Sequence, residues 1–220
     1  MRKFSRALAV VALCLLPVIG WTQEQAAEDN EKDFLEVNAS AGIGMPLGAI
    51  KTWSDTLGAK SGVSGNFHIG YFLTSRVVLG AMFSYTQFGI DSNDPQETQH
   101  HRLYSPAVYL KYHFFGSSDL VPFVEASMGA DFVKFSTHVY DRGLPKYREL
   151  GYEPGFGAGI AAGLHYYTSD NGGLFLQAGY HQGFTKNLTK TYGGNEYTFG
   201  ENLSLFTVTA GIQVFFGSGQ

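Results

Sequence analysis

The chain has 220 residues with 28 glycines, and its only cysteine, Cys14, lies in an N-terminal export signal, which excludes disulfides and thiol catalysis from the mature protein. Lysine and arginine total 15 and aspartate and glutamate 19. Loss of Arg2, Lys3 and Arg6 with the signal leaves 12 basic against 19 acidic residues, a net charge near −7 that argues against nucleic acid as a partner.

The signal occupies residues 1–22: a basic start, an apolar run over 7–19, and Gly20-Trp21-Thr22 as the cleavage region. The run is shorter than the roughly 18 residues of a spanning helix, and no longer apolar run follows it. Residues 23–33 form a flexible acidic tail, and 34–216 are long enough for one domain.

From residue 34 the sequence alternates apolar and small or polar residues with a period of two, the mark of strands with different solvents on their two faces. The first strand, 34–45, sets Leu35, Val37, Ala39, Ala41 and Ile43 against Glu36, Asn38, Ser40, Gly42 and Gly44. A polar segment, 46–61, precedes the second, 62–73, with Phe67, Ile69 and Tyr71 against Asn66, His68 and Gly70. Only Thr74-Ser75-Arg76 leads to the third, 77–88, where Leu79, Ala81, Phe83 and Tyr85 oppose Gly80, Met82, Ser84 and Thr86. A second polar segment, 91–101, contains His100 and His101.

The fourth strand, 102–115, sets Tyr104, Val108, Leu110 and Tyr112 against Ser105, Tyr109, Lys111 and His113. A short turn, 116–119, leads to the fifth, 121–135, with Val124, Met128 and Phe132 against Glu125, Ser127, Gly129 and Asp131. A third polar segment, 136–153, holds Tyr140, Arg142, Lys146, Tyr147 and Arg148. The sixth strand, 154–167, alternates Phe156, Ile160 and Leu164 with Gly157, Gly159 and Gly163; the seventh, 174–185, sets Leu176 and Tyr180 against Gln177, Gly179 and His181. A fourth polar segment, 186–200, precedes the eighth, 203–216, in which Phe206, Val208, Ala210, Ile212, Val214 and Phe216 share one face.

Eight strands with alternating long and short connections predict an all-β, eight-stranded antiparallel up-and-down transmembrane β-barrel, apolar face to lipid and glycine and charge to a narrow lumen. This pattern resembles the small bacterial outer-membrane β-barrel proteins of the OmpA/OmpX type across nearly the whole mature chain. The resemblance implies an outer-membrane location, export through a cleaved signal, and a C-terminal assembly signal carried by Phe206, Val208, Val214 and Phe216. In that family the aromatic is usually the last residue, whereas here residues 217–220 follow as a short tail with no further domain expected.

If the turn after the fourth strand centres near Ser118, Lys111 falls opposite Glu125 and Ser105 opposite Asp131. A lysine and a glutamate in a water-poor lumen must pair or lose their charge. The expected lumen network is Glu36, Tyr109, Lys111, His113, Glu125 and Asp131, acting as a structural plug or as a gate. His68, His113, His165 and His181 have the same inward parity. Lipid A deacylases of similar fold place serine and histidine on the lipid side, and their His-x-Ser run is absent here. Gly157-x-Gly159-x-x-Ala162 lacks the third glycine of a nucleotide loop and its strand–helix context. His100-His101 has no fixed third metal ligand. No catalytic residue, cofactor or metal is expected.

The functional expectation is a monomeric, non-enzymatic barrel serving envelope integrity or surface interaction through its extracellular loops. Its expected partners are outer-membrane lipid, lipopolysaccharide and the outer-membrane assembly machinery. The alternatives are a conduit for small solutes or hydrophobic molecules, a lipocalin-like ligand-binding barrel, and a lipid A-modifying enzyme.

Overall fold

The computed structural model describes residues 35–48, 59–90, 99–114, 119–141, 144–151, 154–169, 171–184, 188–192, 195–199 and 203–217; the export signal, the acidic tail and most of the C-terminal tail lie outside them. The strands are β1 (Leu35–Leu47), β2 (Ala59–Phe72), β3 (Val77–Ile90), β4 (Gln99–His113), β5 (Leu120–Asp141), β6 (Leu144–Gly151), β7 (Gly155–Ser169), β8 (Gly172–Phe184), β9 (Leu188–Tyr192), β10 (Asn195–Phe199) and β11 (Leu203–Phe216).

Eight of these are the staves of a closed barrel in the order β1-β2-β3-β4-β5-β7-β8-β11, every neighbour antiparallel, with β11 pairing back onto β1 from Leu35↔Phe216 to Leu47↔Ser204. Closure leaves no sheet edge, so the backbone groups of the staves are paired within the wall, as hydrocarbon requires. At one rim the connections are tight. Leu73 N–H donates to the Val77 carbonyl at 2.8 Å, and the Thr74 hydroxyl accepts from the N–H groups of Arg76 and Val77 at 3.2 and 3.1 Å.

At the other rim the wall continues past the barrel. The outer half of β5, Lys134–Asp141, pairs with β6, and β9 pairs with β10. The segments 136–153 and 186–200, which the polar composition marks as loops, therefore contain strand. So does Gln99–His101, since β4 begins earlier than expected. The physical reason is that strands above the membrane no longer separate lipid from lumen, so their period-two signature fades while backbone pairing persists.

The two faces are inverted relative to a water-soluble protein. Ile160 is 66% and Val63 62% exposed on the outer wall, while Glu36 and Asp131 are fully buried within. A lipocalin-like barrel needs the opposite arrangement, aromatics inside and charge outside, and this structure excludes it. An outward apolar wall with a polar interior is the solution for a barrel spanning hydrocarbon.

The interior is layered as well as polar. Near the long-loop rim Ala59, Phe88, Leu103, Val133, Leu203 and Leu205 form a buried apolar cluster. Near the short-turn rim five rings from four staves make a circuit: Phe72–His113 at 5.7 Å, His113–His165 at 5.1 Å, His165–Tyr167 at 6.1 Å, Tyr167–Phe215 at 5.7 Å and Phe215–Phe72 at 5.8 Å. Lys111, Glu125 and Asp131 lie between these two closures.

Candidate functional site in the barrel lumen

Two polar clusters occupy the lumen, and each is built over glycines. In the first, β1 supplies Glu36 and Asn38, β2 His68, β4 Tyr109 and Lys111, and β5 Glu125. Lys111 and Glu125 are direct register partners across the β4–β5 pair. The Lys111 ammonium bonds Glu36 Oε1, which also accepts from the Asn38 amide, and lies 3.8 Å from Glu125 Oε2. His68 Nε2 is 3.4 Å from Glu125 Oε1. The ammonium also sits over the Tyr109 and Phe123 rings, 5.4 and 5.3 Å from their centroids. Tyr109 and Lys111 are 1% and 2% exposed, so this is a dry pairing.

Lys111 belongs to β4 and Glu36 to β1, with β3 and β2 between them in the wall. The bridge is possible because Gly70 and Gly80, register partners on those strands, carry no side chain. A Cβ on Gly70 would stand 2.2 Å from the Tyr109 hydroxyl, and one on Gly80 would stand 2.7 Å from the Tyr109 ring. The tyrosine fills the floor that the two glycines leave.

The second cluster repeats the device. Asp131 on β5 accepts from the Ser105 hydroxyl of β4 at 2.6 Å and meets His181 Nε2 of β8 at 2.9 Å. Its carboxylate crosses β7 to reach β8, over Gly157 and Gly183, another register pair. A Cβ on either glycine would come within 2.5 or 2.4 Å of Asp131 Oδ2. This accounts for the glycine run of β7: Gly157 floors the Asp131–His181 bridge, Gly159 borders Ser127, and Gly163 lies under Phe123.

Among the residues singled out from the sequence, Glu36, Tyr109, Lys111 and Glu125 gather in the first cluster. His113 lies beside them in the aromatic closure, and Asp131 belongs to the second cluster, six residues farther along β5. At about 3.3 Å per residue that separation is roughly 20 Å along the strand. His181, expected inward by parity, completes the Asp131 site, whereas Phe88, Leu103 and Val133, which close the long-loop end, are inward residues that a simple polar-lumen expectation passes over. His101 is buried in β4 rather than placed in a loop. Phe206, Val208, Val214 and Phe216 lie on the outward side of β11, with Phe216 55% exposed at its end.

Ser105, Asp131 and His181 contain the residue types of a hydrolytic triad in a different order. Both the serine and the histidine bond the carboxylate, so the serine proton is directed to Asp131 rather than relayed through His181. No group of three or more potential metal ligands occurs among the described residues.

No protein-family model and no curated protein sequence matches the chain. Solved structures do. A major outer membrane protein from Thermus thermophilus aligns with a TM-score of 0.58 at 12% identity, over 84% of this chain and 100% of that one. The attachment invasion locus protein Ail of Yersinia pestis aligns at 0.50 and 12% identity, over 84% and 100%. The outer membrane protein OprG of Pseudomonas aeruginosa aligns at 0.50 and 11% identity, over 85% and 97%. The shared property is the fold, that of a small outer-membrane β-barrel, and the apolar outer wall of this chain is consistent with an outer-membrane location.

Proposed function

We propose that this outer-membrane barrel is a non-enzymatic, non-conducting envelope protein whose lumen is a structural plug. Its exchanges with the surroundings take place at the long-loop rim and along the lipid-facing wall. The observation that carries this reading is the interior itself. Tyr109, Lys111, Phe123, His68, His165, Gln213, Glu36 and Phe88 are all buried within a barrel of eight staves, a circumference just wide enough for side chains to fill. The apolar cluster at one end and the ring circuit at the other bracket the charged middle, so an ion entering from either side meets a desolvating layer.

On this reading the monomeric barrel contributes to envelope integrity or surface contact through the strands and loops above the long-loop rim. Outer-membrane lipid and lipopolysaccharide are its wall partners. Phe206, Val208, Val214 and Phe216 of β11 are the segment offered to the assembly machinery. Catalysis on lipid finds no support in the lumen clusters, because both face away from the membrane.

Planar-bilayer recording of the refolded full chain tests the plug directly. No stepwise conductance is expected at neutral pH in molar salt. Regular, long-lived conductance steps would sink the plug and favour the solute-conduit reading, with the Lys111–Glu36–Glu125 group as its gate.

A further inference from the structure

At the short-turn end the lumen closes on two histidines from strands that are not neighbours. His113 ends β4 and His165 belongs to β7, with β5 between them in the wall. Their approach follows from the register. His113 partners Phe123 on β5, and Phe123 partners Gly163 on β7. A Cβ on Gly163 would stand 2.5 Å from the Phe123 ring, so the missing side chain gives that ring its room. The two imidazole centroids are 5.1 Å apart, and the rings are 3% and 1% exposed. Aromatic rings surround them: Phe72 lies 5.7 Å from His113, while Phe123 and Phe175 lie 4.3 and 5.6 Å from His165.

His113 Nε2 and both ring nitrogens of His165 meet no hydrogen-bonding group of the protein. A buried polar atom left unpaired is costly, so these three nitrogens call for a partner from outside the chain. The neighbouring charges are also unequal. Glu36 and Glu125 carry two negative charges against the single positive charge of Lys111, a surplus of one before any imidazole gains a proton. All three groups act electrostatically on His113. Lys111, the like charge that faces both histidines, is itself bonded to Glu36. Water would satisfy the nitrogens and leave the surplus charge in a dry interior. A cation answers both.

We propose that His113 and His165 are the two ligands of a single soft monovalent cation, of the copper(I) or silver(I) class, held inside the short-turn rim. No third histidine, cysteine, aspartate or glutamate joins them as a metal-binding group among the described residues. Zinc takes four ligands in such sites, whereas filled-shell monovalent ions accept two nitrogens. The desolvation cost of an ion rises with the square of its charge, so an aromatic surrounding favours a single charge. The span fits as well. With a ring nitrogen about 1.1 Å from its ring centre and a metal–nitrogen bond of about 2.0–2.1 Å, one ion joins imidazoles up to roughly 6.3 Å apart. The observed 5.1 Å lies within that reach. Phe123, 6.3 Å from His113 and 4.3 Å from His165, adds an aromatic face to the ion. The ion fastens β4 to β7 across β5, as Asp131 and His181 join β5 to β8 across β7.

The test uses the chain without its export signal, and so without Cys14, folded in a zwitterionic detergent in chloride-free buffer. It is titrated with silver(I) or with zinc(II), bound ions being counted by native mass spectrometry. One tightly held silver ion per barrel is expected, with zinc weaker. His113→Phe and His165→Phe keep an aromatic ring in the closure, and each is expected to weaken silver binding by about 100-fold or more, since even the outer partners of a metal site are worth about 10–100-fold. His165→Met returns a soft donor and is expected to bind silver more tightly than His165→Phe. In the unsubstituted protein the ring-nitrogen resonances of both histidines should shift with one equivalent of silver. If both stay where they are, the site is overturned whether or not the variants fold. Zinc held as tightly as silver, or no silver held at micromolar concentration, has the same force. So does silver retained in both phenylalanine variants once their heat-dependent gel mobility shows them folded, or a folded methionine variant no better than the phenylalanine one.

Discussion

Replacing Lys111 with methionine is expected to destabilise the barrel by about 3–5 kcal/mol, the usual consequence of removing one partner from a buried ion pair. Lys111 is the cation shared by two buried carboxylates, bonding Glu36 and lying 3.8 Å from Glu125. Methionine preserves most of the side-chain length over the Tyr109 and Phe123 rings, so the loss reports the charge and not a cavity. After the change Glu125 keeps His68 at 3.4 Å, whereas Glu36 keeps the neutral Asn38 amide. The check is a urea titration of the folded gel band in vesicles, comparing Lys111→Met with Lys111→Met/Glu36→Gln/Glu125→Gln. The triple variant is expected to recover much of the loss, because neutral amides remove the uncompensated charge. A single variant as stable as the unsubstituted protein would mean that the lumen is wet enough to solvate both carboxylates, and would remove the dry-plug account.

The staves are legible in the sequence because a barrel wall separates two solvents and imposes one rule on every residue between the rims. Leu35, Val37 and Ala39 on β1, and Phe156, Ala158 and Ile160 on β7, alternate with Glu36, Asn38, Gly157 and Gly159 for that reason, but a ligand-binding barrel with its faces reversed would alternate in the same way, and the exposure of the apolar set decides between them. The short connection between β4 and β5 also makes register countable, so Lys111 against Glu125 follows from where the turn lies. What alternation cannot convey is who meets whom across the lumen. The Asp131–His181 bond joins strands that are not neighbours, and it depends on the bareness of Gly157 between them. The inward apolar residues were hidden for a related reason. Phe88 shares parity with Thr86, and Leu103 with Ser105, so parity turns them inward; only the curvature of the closed wall shows that they converge with Val133 and Leu205 into a cluster. Above the membrane the rule lapses altogether, which is why β6, β9 and β10 read as polar loops.

Gly157→Val is expected to cost about 4 kcal/mol or more, enough to leave little folded barrel in mild urea. The added Cβ would meet Asp131 Oδ2 at 2.5 Å and the carboxylate carbon at 2.7 Å. A carboxylate at the end of a free side chain would swing away cheaply. This one is fully buried and held from two sides by Ser105 and His181, so yielding means breaking the hydrogen bonds of a buried carboxylate as well as relieving the overlap. Both costs arise together, and that separates this position from ordinary overpacking of about 1–3 kcal/mol. The same change at Gly65 is the control. Gly65 points to the outer side of β2, where a Cβ finds only the Ser40 carbonyl at 3.4 Å, and a β-branched residue suits a strand facing lipid. Gly65→Val should leave the urea midpoint within the scatter of the unsubstituted protein. If the two valines behave alike, the glycines of the lumen face are matters of backbone preference, and the cradle beneath Asp131 is not what selects them. If Gly157→Val alone fails and Asp131→Gly/Gly157→Val partly restores folding, the glycine and the carboxylate are one steric unit. The bridge from β5 to β8 is then built by what β7 leaves out.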